Sequence, residues 1–355
     1  MASPASQQAG GNALNGRRVT IVDVAARAGV AISSASSALN GRSGVSQATR
    51  ERVQEAAREL GYVPSLRGRS LSTQRAFSIG FVLHRSLEVL EADPFFGAFI
   101  GGIEQAISPR GYALVLQVGS TLEEAEGRYR ELAANRRVDG VLLNELRIDD
   151  SRIDLVQEIG LPAVGIVPPI DSFPLPCVRQ GSAAGVRALV RHLVELGHRN
   201  IAHVAGPPGF VHSQERIDAW RGALEEAGLA TGALIPGDFT YDGGRAAADE
   251  IAAMAERPSA VVCANDLSAV GLMIRAQELG WSVPGDLSIC GYDGIALGTY
   301  VRPTLTTVQA SPRRVGAAAA ELLLDLIDDP EANALRHVDL PAGELVVGTS
   351  TGPVA

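Results

Sequence analysis

From Phe77 to about residue 330 the chain repeats one pattern: a short apolar run, then a stretch whose apolar residues recur at helical spacing. Few folds accept this. Neighbouring parallel strands need a crossover long enough to hold a helix, so the alternation specifies parallel sheets with crossover helices. The apolar runs are Ile79–Leu83, Ala113–Val118, Val141–Leu143, Ala163–Val167, Ile201–Ala205, Ala260–Ala264 and Leu287–Gly291. Helix-like stretches between them include Ala98–Ile107, Leu122–Ala134, Ala183–Leu196, Gln214–Ala227, Ala246–Ala255 and Leu267–Leu279. These are too many units for one small sheet, which predicts two α/β lobes side by side.

The first 75 residues follow different rules. Residues 20–60 predict three short helices. Thr20 caps the first, Ile21–Ala28, with Asp23 at the third helical position, a near relative of the capping box. Gly29 supplies a tight turn. The second helix runs over Ile32–Leu39 and stops near Asn40-Gly41. Ser46 caps the third, Gln47–Leu60, whose Val53, Ala56, Ala57 and Leu60 recur on one face. A helix, a turn of four residues containing glycine and a second helix form the helix-turn-helix pattern. Residues 1–15 are rich in Ala, Ser, Gln and Gly without an apolar core, so they are expected to form a disordered tail rather than a signal peptide. Residues 65–75 are polar and basic and predict a linker, or a short helix once packed against DNA and a partner copy.

Charge separates the same two regions. The net charge of −9 argues at first against nucleic acid. Yet residues 1–75 hold ten arginines against four acids, a net +6, which leaves −15 for the rest. A basic head on an acidic body is expected when one end meets phosphate and the other does not. Cys177, Cys263 and Cys290 are far apart, without C-x-x-C spacing, and read as free thiols of a reducing compartment. No apolar run is long enough to span a membrane, so a cytoplasmic protein is expected.

Specific motifs then fall in order. Thr20-Ile-Val-Asp-Val-Ala-Ala-Arg-Ala-Gly-Val30, Ser33-Ser-Ala-Ser-Ser-Ala-Leu-Asn40, Gly44-Val-Ser-Gln-Ala-Thr-Arg50 and Gly61-Tyr-Val-Pro64 strongly resemble the head of the LacI/GalR family of bacterial transcription regulators. Asp93-Pro-Phe-Phe96, Val138-Asp-Gly-Val141, Leu196-Gly-His-Arg199, Ala264-Asn-Asp-Leu-Ser-Ala-Val-Gly271, Val283–Asp293 and Arg302-Pro-Thr-Leu-Thr-Thr-Val308 extend the likeness over nearly the whole chain.

The resemblance implies a fold: an N-terminal all-α helix-turn-helix head plus hinge, and a two-lobed α/β effector domain of the periplasmic-binding-protein-like type I, with parallel sheets. The expected segments are a tail at 1–16, the DNA-binding head at 17–63, the hinge at 64–76 and the effector and dimerisation domain at 77–350. Lobe 1 is expected over about 77–178 and 308–339, lobe 2 over about 179–307 and 340–350. It also implies a homodimer that binds a pseudo-palindromic operator and represses transcription. Ile32, Ser33, Ser34 and Ser37 would reach base edges, and Thr20, Ser36, Asn40, Ser46 and Thr49 would contact phosphates. Leu71 falls where the family wedges a leucine into the minor groove, with Arg67 and Arg69 placed beside it. Relatives commonly carry arginine where Ser37 stands and alanine where Gly68 stands, so an altered half-site and a hinge helix weakened by about 0.5–1 kcal/mol are expected.

In the body, Arg216, Asn265 and Asp293 match the family's effector-contacting positions, and Phe95 and Phe96 would supply an aromatic wall. Arginine donates a fork, aspartate accepts from two hydroxyls and asparagine does both, which suits a sugar-like effector. Asp266 is expected to cap the helix that follows. Gly181-Ser182 and Gly294 depart from the family pattern at neighbouring positions. No cofactor, metal site or catalytic residue is expected, since no G-x-S-x-G, P-loop or H-E-x-x-H motif occurs and the six histidines are scattered. His198 and His203 read as structural. No heptad pattern follows Glu344–Val347, which favours a dimer over a tetramer. The body alone would also suit a solute-binding protein or an enzyme; the basic head, the lack of a signal peptide and the lack of a nucleophile–base motif argue against both.

Overall fold

The computed structural model describes residues 19–40, 44–62, 73–85, 87–170 and 172–354, in two units that divide between Arg75 and Ala76. The tail, most of the hinge with Arg67, Gly68, Arg69 and Leu71, and the segment 41–43 lie outside the described residues.

The head consists of α1 (Ile21–Ala28), α2 (Ile32–Leu39) and α3 (Gln47–Glu59). Thr20 starts α1: its N–H and Oγ1–H both donate to Asp23 Oδ2, at 2.8 and 2.7 Å. Gly29 ends it at φ +64°, a left-handed conformation that glycine adopts without strain. Ser46 Oγ accepts from the Thr49 N–H at 3.3 Å and opens α3. The core is built from small residues, Val24, Ala25, Ala35, Ala38, Val53, Ala56 and Ala57, which lets three short helices approach closely.

The body alternates strand and helix throughout. Lobe 1 carries a parallel six-stranded sheet built from β1 (Ser78–Leu83), β2 (Ala113–Val118), β3 (Gly140–Leu143), β4 (Ala163–Val167), β5 (Cys177–Arg179) and β11 (His337–Asp339). Its spatial order is β11-β5-β4-β3-β1-β2, with Ile79 beside both Leu114 and Gly140. Its helices are α4 (Leu87–Ala92), α5 (Pro94–Ile107), α6 (Leu122–Ala134), α7 (Ser151–Glu158) and, far along the chain, α13 (Pro312–Asp328). The pair α5–α13 packs with almost no spacing. A Cβ on Gly102 would sit 2.0 Å from the Arg313 carbonyl oxygen, and one on Gly316 would sit 2.2 Å from that of Phe99.

Lobe 2 holds the parallel order β7-β6-β8-β9, from β6 (Ile201–Val204), β7 (Leu234–Ile235), β8 (Ala260–Cys263) and β9 (Ser288–Cys290). Around it lie α8 (Ala183–Glu195), α9 (Val211–Glu226), α10 (Tyr241–Ala252), α11 (Asp266–Glu278) and the short α12 (Leu297–Tyr300). A two-stranded antiparallel ribbon of β10 (Thr307–Gln309) and β12 (Glu344–Val346) sits beside α8. The short α14 (Pro330–Asn333) precedes β11. Each lobe buries one apolar cluster on either face of its sheet, as parallel sheets covered by helices do.

The chain passes between lobes three times, after Arg179, after Gln309 and after Asp339. Gln180 ties these passages together: its Nε2 donates to the carbonyls of Ala310 at 2.9 Å and Pro341 at 3.4 Å. The Leu340 N–H donates to Arg179 O at 2.9 Å.

Candidate effector cleft and nucleic-acid interface

Open parallel sheets place ligands outside the carboxyl ends of their strands, because loops rather than ladder bonds meet there. Both sheets of the body follow this rule toward a shared cleft. Arg85 follows β1, Asn144 and Glu145 follow β3, Pro168 follows β4, Asn265 follows β8, and Tyr292 and Asp293 follow β9.

All five residues expected at this site line the cleft. Arg216, on α9, is buried; its Nη1 donates to the Ala264 carbonyl and its Nη2 lies 3.7 Å from Asp293 Oδ1. Its guanidinium stands 4.2 Å from the Tyr292 ring centre and 5.8 Å from that of Phe239. The Arg216 Nε and Asn144 Nδ2 find no partner among the described residues. Asp293 sits at φ +111°, held there by its N–H bonding Val308 O at 3.0 Å and by Ala310 N bonding its own carbonyl at 3.2 Å. Burial raises its carboxyl well above the usual range, with Arg216 opposing.

Phe95 is half-exposed at the start of α5, edge-on to Phe96 at 5.4 Å and stacked on Phe99 at 6.0 Å. Phe96 is 2% exposed and belongs to the lobe 1 core, so it backs the wall that Phe95 presents. Asn265 is the cap of α11, in place of Asp266. Its Oδ1 accepts from Ser268 N at 3.1 Å and Ser268 Oγ at 2.6 Å, and its Nδ2 donates to Phe239 O at 2.8 Å. Asp266, the first helical residue, turns inward, accepting from Thr307 Oγ1 at 2.5 Å and Ile295 N at 2.8 Å, and burial pushes it up to about 7. The correction is geometric: only the residue before the first turn can reach the amide three residues on.

Several further residues line or brace the cleft that were not expected at the site. Arg85 pairs with Glu145 (Nη2 to Oε1 2.9 Å), and both side chains are 11% exposed. Asp93 caps α5, accepting from Phe95 N at 2.9 Å, and burial pushes it up to about 6. Glu215 reaches across to the start of α8, accepting from Ser182 N at 3.0 and 3.1 Å. His212 stacks on Phe239 at 5.3 Å; burial, then Arg216 and Arg85, hold it well below its ordinary value. Beneath the lobe 1 wall the fully buried Arg152 donates to Asp150 Oδ2 at 2.6 Å and to the Glu145 carbonyl at 3.1 Å, fixing the loop after β3. Burial alone would raise Asp150, but the Arg152 hydrogen bond and charge hold it below the usual carboxylate range.

Two of the four cleft carboxylates are met by a guanidinium, and the other two by amides at helix starts. Among the described residues lining the cleft, each guanidinium faces a carboxylate, Arg85 with Glu145 and Arg216 with Asp293. Buried acceptors beside donors with spare N–H groups, flanked by aromatic faces, can hold adjacent hydroxyls.

In the head, Ile32 and Ser33 are exposed at the first turn of α2, and Ser34 and Ser37 are half-buried on it. Ser36 and Asn40 bond one another: Asn40 Nδ2 donates to Ser36 O at 2.9 Å and faces its Oγ at 3.3 Å. Thr20 and Ser46 serve as caps, and Ser46 Oγ lies 2.9 Å from Thr49 Oγ1. The hydroxyls of Thr20, Ser36, Ser46 and Thr49 therefore each have a local partner as well as any role toward phosphate.

Residues 20–65 match the model of bacterial regulatory proteins of the lacI family, and residues 190–351 match that of the periplasmic binding protein-like domain. The HTH-type transcriptional regulator CelR of Thermobifida fusca is 36% identical over 326 residues, covering 91% of this chain and 96% of that protein. The chain belongs to the LacI family. As a member it is a ligand-controlled DNA-binding transcription regulator and not an enzyme. A second LacI-family relative, the repressor PurR of Vibrio campbellii, is 36% identical over 315 residues, with 88% of this chain and 93% of its own covered. Among solved structures, the CelR–cellobiose complex superposes with a TM-score of 0.72 at 34% identity, over 94% of this chain and all of that one. The lac repressor dimer bound to operator and the anti-inducer ONPF gives 0.80 at 28% identity, over 95% and 100%. In this LacI-family chain no described helix is long and apolar enough to cross a membrane. No three His, Cys, Asp or Glu among its described residues gather to hold a metal ion.

Proposed function

We propose that this regulator represses transcription as a cytoplasmic, nucleoid-bound homodimer on a pseudo-palindromic operator, and that an uncharged, polyhydroxylated, sugar-like ligand in the cleft sets its operator affinity. The observation that carries the ligand class is the buried pair of Arg216 and Asp293, 3.7 Å apart with a free Arg216 Nε, against aromatic faces. Asp293 accepts from a pair of ligand hydroxyls, Arg216 and Asn144 donate to ring or hydroxyl oxygens, and Phe95 and Phe239 cover the apolar face of the ring. Asn265 has little hydrogen-bonding capacity to spare and mainly shapes the wall. The CelR relative's cellobiose complex supports the same class.

At the other end, Ile32, Ser33, Ser34 and Ser37 read bases, Thr20, Ser36, Asn40, Ser46 and Thr49 fix the register on phosphates, and Arg67, Arg69 and Leu71 enter the minor groove. Selection from a random duplex library by the full-length chain, at fixed near-physiological salt, tests this. A palindromic consensus is expected, with weak discrimination at the base that an arginine at position 37 would read. Ser37→Arg should add about 1–3 kcal/mol of preference for guanine there. Titrating the selected duplex complex with neutral sugars and with sugar phosphates then tests the cleft. A response to phosphates alone would overturn the ligand class, and no enrichment of any sequence would overturn the operator reading.

A further inference from the structure

Besides the three chain passages, the lobes of the body touch through a fourth connection that involves no covalent link. The loop after β3 and the loop after β6 run antiparallel for one bridge, with Arg147 opposite Phe210. Ile148 N donates to Gly209 O at 2.8 Å, and Val211 N donates to Leu146 O at 3.0 Å. Two arginines of lobe 1 rest on the same lobe 2 ring: Arg85 lies 4.7 Å and Arg147 5.2 Å from the Phe210 centre. Arg85 also stands 5.4 Å from the Phe239 ring.

Both sides are shaped for this meeting. Gly209 sits at φ +85°, a left-handed backbone conformation that glycine adopts without strain, and the Arg147 guanidinium lies over it. On the lobe 1 side, Glu145 and Asp149 hold left-handed backbone, φ +48° and +56°. The buried Asp150–Arg152 pair fixes that shape: Arg147 N donates to Asp150 Oδ2 at 2.8 Å, and Arg152 donates to the carbonyls of Asn144 and Glu145. Glu145 in turn orients Arg85. Loop strain held by a buried ion pair marks a segment preset for contact. Phe210 is 4% exposed; Leu146 and Val211 of this contact line the cleft, whereas Arg147, Ile148, Gly209 and Phe210 do not.

We infer that the contact of 146–148 with 209–211 is a clasp that holds the lobes together at the edge of the cleft through protein–protein bonds alone. Closure is then a property of the effector-free protein, and the effector adds to a closed population rather than creating it. The inference rests on the cleft being the effector site, but its test needs no effector, so its failure leaves the ligand class untouched.

Hydrogen exchange on the effector-free, full-length protein reads the clasp directly. The amides of Ile148 and Val211 should be protected, and Phe210→Ala should speed their exchange by about tenfold or more while the β6 and β8 amides stay unchanged. Free exchange of both amides in the unmodified protein would overturn the inference.

Discussion

His203 is 1% exposed in lobe 2, with Nδ1–H donating to Val262 O at 2.8 Å and its ring stacked on Trp220 at 5.5 Å. Burial lowers it to about 4, against 6.5 when unfolded. Between those values the unfolded chain binds the extra proton, so this residue's contribution is complete above 6.5 and drains away as pH falls toward 4. The loss amounts to about 3 kcal/mol. Asp93 acts with the opposite sign, since burial raises it from 3.8 to about 6 and makes the folded state the proton binder across that interval. Denaturant unfolding of His203→Phe between pH 4 and 7 should show a flatter acid limb than the unmodified protein; equal slopes would refute the assignment. The cleft was half legible for reasons visible in single residues. Arg216 and Asp293 stood out because they sit in motifs resembling a family. Arg85, Asn144 and Glu145 did not, because Arg85 and Glu145 pair across 60 positions and Asn144 Nδ2 has no partner among the described residues. Their one sequence signal was position, just beyond the apolar runs at 79–83 and 141–143.

At the scale of elements, the α5–α13 crossing depends on two glycines. Gly316→Ala puts a methyl 2.2 Å from the Phe99 carbonyl oxygen. That neighbour is backbone and cannot rotate away, so the helices must separate, at a cost of about 1–3 kcal/mol. Calorimetry should show a lower Tm for the body, and an unchanged Tm would mean the crossing is looser than it stands here. The head helices were readable because caps and glycine turns are local chemistry: Thr20, Gly29 and Ser46 act where the sequence puts them. The strands Cys177–Arg179, Leu234–Ile235, Thr307–Gln309 and His337–Asp339 have two or three residues each, too few for a period to show. The helix Pro312–Asp328 begins after Ser311 in left-handed backbone, φ +52°, without a side-chain cap to announce it.

For the whole molecule, the three passages are the covalent links between the lobes. Gln180 faces the cleft and also bonds both other passages. Gln180→Met keeps the volume and removes the bonds. It should reduce by about two- to thirtyfold the factor by which effector shifts operator affinity, measured by duplex binding with and without saturating sugar. A weaker sugar Kd with an unchanged factor would reduce Gln180 to a ligand contact. Those passages also set the order in which the protein can be made. Lobe 1 begins at Ser78 but its sheet is completed by β11, and its core by α13, on the far side of lobe 2. A ribosome adding about 5–20 residues per second leaves Phe99, Ile103 and Val178 without their covering helix for on the order of ten seconds. Lobe 2 is nearly whole by then. The nascent regulator therefore carries one finished lobe and one with an open apolar face, and it is during synthesis, more than after release, that this surface meets water.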